Sequence, residues 1–100
     1  MKRFTIINRR KQKKAMKVLR ALAHPLRLEI LQYLYERENG ASVTEIYEAL
    51  GVDQTVASQQ LRILREVELV YWKRFQVYRY YYVDKAWLEA ISVAVKKYMP

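Results

Sequence analysis

One polar helix face carries the chemistry of this chain. Between Asp53 and Val67, the residues Ala57, Leu61 and Leu64 (i, i+4, i+7) share one side of a helical pattern, joined by Val56, Ile63 and Val67. Thr55, Ser58, Gln59 and Arg62 fall on the other side. A solvated helix surface is usually built from Glu and Lys. This one offers short hydroxyls, the adjacent amides of Gln59 and Gln60, and a guanidinium. Those are the donors and acceptors that read base edges in a DNA major groove. Gln54, Thr55, Ser58, Gln59 and Gln60 are therefore the candidates for base and nearby phosphate contacts, and Arg62 suits phosphate. The bland alternative is a helical hairpin that simply has a polar surface.

Other chemistries find little to work with. The chain has no cysteine, which excludes disulfides and thiolate metal sites. It has one histidine, His24, whose neighbours Ala23 and Pro25 supply no further ligand. A structural place at the start of a helix suits it better than metal binding. There is no glycine-rich phosphate loop, and no Ser/His pair with an orienting acid at readable spacing. Neither an enzyme nor a bound cofactor or metal is expected. The nine tyrosines raise the possibility of a base-stacking platform for single strands. Their alternation along a hairpin instead divides them between the helices and the flanks of a wing.

The elements that position the polar face are legible. Ser42 followed by Glu45 is a capping box, which starts a helix at Val43. Ile46, Ala49 and Leu50 give that helix an apolar face. Gly51 ends it, Val52 plugs the turn, and Asp53 caps the next helix, Gln54–Glu66. Helix, short turn and reading helix make a helix-turn-helix. Upstream, a helix opens near Asn8, with Ala15, Met16, Leu19, Leu22 and Ala23 at helical spacing. Pro25 stops it and suits the first position of the next helix, which runs to about Arg37. There Leu26, Ile30, Leu31, Leu34 and Tyr35 are expected to point inward, and Asn39-Gly40 turns the chain onward.

After Val70 the period changes. Tyr71–Arg74 and Val77–Val83 are aromatic and β-branched, which predicts a two-stranded hairpin with Phe75-Gln76 at its tip. Lys73, Arg74 and Gln76 are its candidates for contact with the DNA backbone or minor groove. Asp84 caps a last helix with a wide stripe of Trp87, Leu88, Ile91, Ala94, Val95 and Tyr98. So short a chain has little core left for both terminal helices. Ala15, Leu19 and Leu22, with Trp87, Leu88, Ile91, Val95 and Tyr98, are accordingly expected to meet a second copy.

The run Ala23-His24-Pro25-Leu26-Arg27-Leu28-Glu29-Ile30-Leu31, then Ser42-Val43-Thr44-Glu45-Ile46, then Asp53–Leu64 and Glu68-Leu69-Val70 before a tyrosine-rich hairpin resembles the ArsR/SmtB family. The match runs from about Val18 to Val83. It implies a winged helix-turn-helix that is mainly α, with about five helices and a two-stranded wing. It also implies a homodimeric DNA-binding transcriptional regulator. Two positions depart from the pattern: Glu68 stands where relatives have glycine, and the wing tip lacks its usual glycine. Metal sensing, frequent in that family, loses its support here. The segment Ala41–Glu45 has no Cys-x-Cys, and the last helix offers Asp84 and Glu89 without histidine.

The formal charge of +9 is concentrated at one end. Residues 1–20 carry Lys2, Arg3, Arg9, Arg10, Lys11, Lys13, Lys14, Lys17 and Arg20 and no acid, leaving ten of the 19 bases against all 10 acids. Such a segment attracts phosphate. With 52% hydrophobic residues the chain is foldable, and no apolar run is long enough to span a bilayer. One domain over residues 1–100 is expected, with 1–14 as a basic segment and 15–23 and 84–98 as dimerisation helices. The reading is a cytoplasmic homodimeric repressor of double-stranded DNA, at an operator with two-fold symmetry and without metal sensing. It leaves any effector unknown, and touches no membrane. A protein-interaction module on the same scaffold, and an RNA or single-strand binder, are the alternatives.

Overall fold

The structure, a computed structural model, describes the backbone of residues 9–98 and side chains from residue 13, except those of 95, 97 and 98. Lys2, Arg3, Arg9, Arg10, Lys11, Val95 and Tyr98, expected to take part in binding or dimerisation, thus fall outside the described residues or side chains. Among the described residues, five helices surround one core: α1 (Arg9–Leu22), α2 (Pro25–Tyr35), α3 (Val43–Leu50), α4 (Gln54–Glu66) and α5 (Lys85–Tyr98). Ile30, Leu34, Ile46, Leu61, Leu64, Leu69 and Val70 are its fully buried large side chains. Each such side chain contributes about 1.5–3 kcal/mol by leaving water.

Local signals set the boundaries. Ser42 and Glu45 close the capping box, with the Glu45 N–H donating to Ser42 Oγ at 3.2 Å and the Ser42 N–H to Glu45 Oε1 at 2.9 Å. Gly51 ends α3 at φ 67°, a left-handed conformation that glycine takes without steric cost. Asp53 sits at the N-cap of α4, but its side chain makes no cap hydrogen bond, contrary to the sequence expectation. Asp84 does cap α5, accepting from the Trp87 N–H at 2.9 Å.

The sheet departs from a simple hairpin. Strand β1 (Ala41–Ser42) pairs antiparallel with β3 (Tyr78–Val83), which pairs with β2 (Val70–Phe75), in the order β1-β3-β2. The wing is therefore rooted in a three-stranded sheet rather than a two-stranded one. A two-residue strand has no readable alternation, which is why sequence periodicity missed it. Gly40, at φ 73°, allows this approach: a Cβ there would lie 2.8 Å from the Tyr81 carbonyl oxygen and from the Tyr82 ring. The hairpin turn is also displaced by one residue. Phe75 pairs with Tyr78, so Gln76-Val77 forms the loop. Only Gln76 of that pair has positive φ, 59°, the signature of a type II′ turn that usually takes glycine first. Glu68 likewise sits at φ 62°.

Several expected apolar positions are used differently. α2 stops at Tyr35, short of Arg37, and Tyr35 is exposed rather than inward. Its hydroxyl donates to Glu89 on α5 at 2.8 Å, and that hydrogen bond, with the carboxylate's charge, raises the phenol pKa. Ala49 is exposed. On α5, Ile91 is buried and Leu88 packs against the core. Ile91 is thus covered within its own chain, while the half-buried Leu88 keeps part of its surface open. Among the described helices, none is long and apolar enough to cross a membrane.

Candidate nucleic-acid interface

α4 is amphipathic, and its two faces are cleanly divided. Ala57, Leu61 and Leu64 are buried, while Gln54, Thr55, Ser58, Gln59 and Arg62 are exposed. Thr55, Gln59 and Arg62 stand at i, i+4 and i+7, a stripe about 10 Å long, which is roughly three base-pair steps. The first-turn N–H groups of α4 receive no cap from the Asp53 side chain. Partial positive charge thus collects at the end where Gln54 and Thr55 are exposed.

Gln60 does not belong to this face. Each helical residue advances by about 100°, which puts Gln60 roughly 60° from Ala57 and beside the buried row. It is half-buried, and its Oε1 accepts a 2.8 Å hydrogen bond from Arg27 Nη1. Arg27 Nε donates to the Ala21 carbonyl at 2.7 Å, and Nη2 to the Arg20 carbonyl at 3.2 Å. One guanidinium on α2 thereby caps the end of α1 and fixes α4. Sequence reasoning gave Arg27 no role and placed Gln60 on DNA. The signal available was the angular position of Gln60, overridden there by the pairing of two adjacent amides.

The wing supplies a second exposed patch. Lys73, Arg74 and Gln76 are all exposed. Lys73 Nζ lies 5.2 Å from the Tyr82 ring centre and 5.8 Å from that of Tyr71, over two rings stacked at 5.4 Å. Arg74 is paired directly with Arg79, which sequence reasoning overlooked. Arg79 stacks at 4.4 Å on Trp72. Like charges directly across a strand pair are unfavourable by themselves. With Arg79 held on the Trp72 ring, the pair makes a concentrated cationic site that suits a polyanion. Only the strand register reveals the pairing.

The remaining constellations stay quiet. His24 is the N-cap residue of α2, with Nδ1 buried and without a hydrogen-bond partner. Among the described residues, no group of three His, Cys, Asp or Glu side chains converges on a metal-sized site.

Residues 22–70 match a family model for a helix-turn-helix domain. The solved homodimeric winged helix-turn-helix DNA-binding domain of a possible ArsR-family transcriptional regulator from Mycobacterium bovis is 31% identical. It aligns with a TM-score of 0.72 over 86% of this chain and 81% of its own. This chain belongs to the ArsR family of winged helix-turn-helix transcriptional regulators. The HTH-type transcriptional regulator NmtR of Mycobacterium tuberculosis is 48% identical over 52 residues, 52% of this chain and 42% of that protein. The biofilm growth-associated repressor of Xylella fastidiosa is 40% identical over 57 residues, 57% of this chain and 48% of that protein. The matches therefore span less than half the length of these two curated relatives. In an ArsR-family frame, α3 and α4 form the helix-turn-helix and β2–β3 the wing. It is a frame of DNA-binding regulators, not of enzymes.

Proposed function

We propose that this protein is a homodimeric, cytoplasmic repressor that reads a two-fold symmetric duplex operator without sensing metal ions. The exposed stripe of Thr55, Ser58, Gln59 and Arg62 on a helix otherwise committed to the core is the observation that carries this reading. Hydroxyl and amide groups there can contact base edges, and Arg62 a phosphate. Lys73, Arg74 and Gln76 of the wing, joined by Arg79, lie along the backbone and minor groove.

The dimer rests on apolar surface that the chain leaves unused. Ala15, Met16 and Leu19 on α1 are exposed, as are Trp87 and Val93 on α5, while Leu22 is half-buried. The related Mycobacterium bovis domain is homodimeric. Two-fold protein symmetry calls for a two-fold operator. Without cysteine, and with a single histidine per chain, the ligands that zinc, cadmium or arsenite favour are missing.

Selection of bound sequences from a random duplex pool tests this directly. An enriched inverted repeat, with affinity falling steeply as salt rises, is the expected result. Equal competition by single-stranded DNA or RNA, or binding without any enriched sequence, would overturn it.

A further inference from the structure

The wing ends in an apolar tip of unusual composition for a surface loop. Phe75 is 63% exposed, Val77 80% and Tyr78 55%. Nothing within the described residues covers them, although Phe75 also meets the edge of Tyr80 at 6.5 Å. Behind the tip stand cations on both faces of the ribbon. Residues paired across the strands share a face, so Arg74 and Arg79 lie on the side of Val70 and Val83, and Lys73 on the side of Phe75 and Tyr78. The buried pair Val70 and Val83 anchors the root. From that root the tip projects about 16 Å, at roughly 3.3 Å per strand residue.

We propose that Phe75 and Val77 form a wedge that enters the minor groove beside the operator half-site and partly unstacks one base step, kinking the duplex. The proposal rests on the DNA-reading function given above and adds to it a deformation of the DNA. Charge complementarity selects this occupant over a protein surface. An apolar tip flanked by Arg74, Arg79 and Lys73 suits a groove whose walls are phosphate and whose floor is stacked base. Apolar side chains are the ones that lever base steps apart, with neighbouring basic groups holding the phosphates on either side. The geometry is also held ready. The stacking of Arg79 on Trp72 and the placing of Lys73 over Tyr71 and Tyr82 fix two of the three cations before DNA arrives. The positive φ of Gln76 keeps the turn tight, with the exposed Phe75 and Val77 on either side of it. Specificity then extends to steps no side chain hydrogen-bonds, because flexible pyrimidine–purine steps yield most readily.

The experiment uses the whole chain and the duplex enriched by selection. 2-Aminopurine is placed at successive flanking positions, and a distant end label reports binding by anisotropy. The expected result is a fluorescence rise at one flank step of each half-site, with a bend detected by circular permutation. Both should be lost in Phe75→Ser and Val77→Ser, whose exposed positions leave folding intact, and kept in Leu28→Ser, which removes an exposed apolar side chain on α2, away from the wing. Binding without a fluorescence rise at any step would overturn the wedge and leave the DNA-reading function standing. So would unchanged fluorescence and bending in the Ser variants. Variants that instead change the oligomeric state would assign the tip to protein contact and overturn the wedge. Failure to enrich any duplex would overturn the reading on which the wedge rests, and the wedge with it.

Discussion

Gln59 and Gln60 are adjacent and chemically identical, but Gln59 is exposed and Gln60 is bonded to Arg27, so replacing each by alanine tests the proposed division between DNA reading and scaffold. Gln60 Oε1 receives one hydrogen bond from a charged donor, Arg27 Nη1, at 2.8 Å. Such bonds contribute about 1.5–3 kcal/mol when enclosed. Both partners here are half-buried. Water can replace the missing acceptor, so Gln60→Ala should cost only about 1 kcal/mol of stability. Arg27→Ala strips three bonds, two of them to carbonyls at the end of α1, and should cost about 2–3 kcal/mol. The double variant should cost scarcely more than Arg27→Ala alone, giving a coupling energy of about 1 kcal/mol. Urea unfolding followed by circular dichroism measures the cycle. Gln59→Ala should leave stability within about 0.5 kcal/mol, since it is an exposed position. It should weaken specific binding by about 1–3 kcal/mol if the amide contacts a base in bidentate fashion, with little effect on random DNA. Gln60→Ala should keep the same base preferences as the unaltered protein. Additive stability losses, or a relaxed base preference in Gln60→Ala equal to that in Gln59→Ala, would refute the division.

Other substitutions probe other parts of the molecule. Glu68→Gly relieves a left-handed residue at φ 62° and should raise stability by up to about 1 kcal/mol, read as a higher midpoint in urea; a lower midpoint would count against strain at that site. Leu19→Glu, on the exposed face of α1, should yield monomers by light scattering and weaken operator binding, whereas a persistent dimer would move the interface elsewhere. Ile91→Glu should instead destabilise the fold by about 3 kcal/mol or more, because it places a charge in the core of its own chain; a stable, folded monomer would restore Ile91 to the dimer interface. Replacing the exposed Lys13, Lys14 and Lys17 by Gln should flatten the dependence of log K on log salt, by about 0.9 for each phosphate no longer neutralised, equally on specific and random duplexes. An unchanged slope would show that these lysines do not touch DNA. Titrating zinc, cadmium or arsenite into the protein–operator complex should not release DNA, and release abolished by His24→Ala would establish a metal switch centred on that imidazole.

The sequence by itself determined the helices and the surface of α4. A capping box, a left-handed glycine and a 3.6-residue period are local, so Ser42, Glu45, Gly51 and the row Ala57, Leu61, Leu64 declare themselves without knowledge of their neighbours. The exposed side of α4 followed from the same period. Tertiary structure alone decided what depends on partners distant along the chain. β1 exists only because Ala41 and Ser42 meet Tyr81 and Tyr80, which no local pattern encodes. The turn at Gln76-Val77 and the facing of Arg74 by Arg79 are set by strand register, and a shift of one residue exchanges every side chain between faces. Arg27 reaches Gln60 from 33 residues away, and Ile91 is buried against the core of its own chain, partners that no local period names. Periodicity states which residues share a face; only packing states what that face meets.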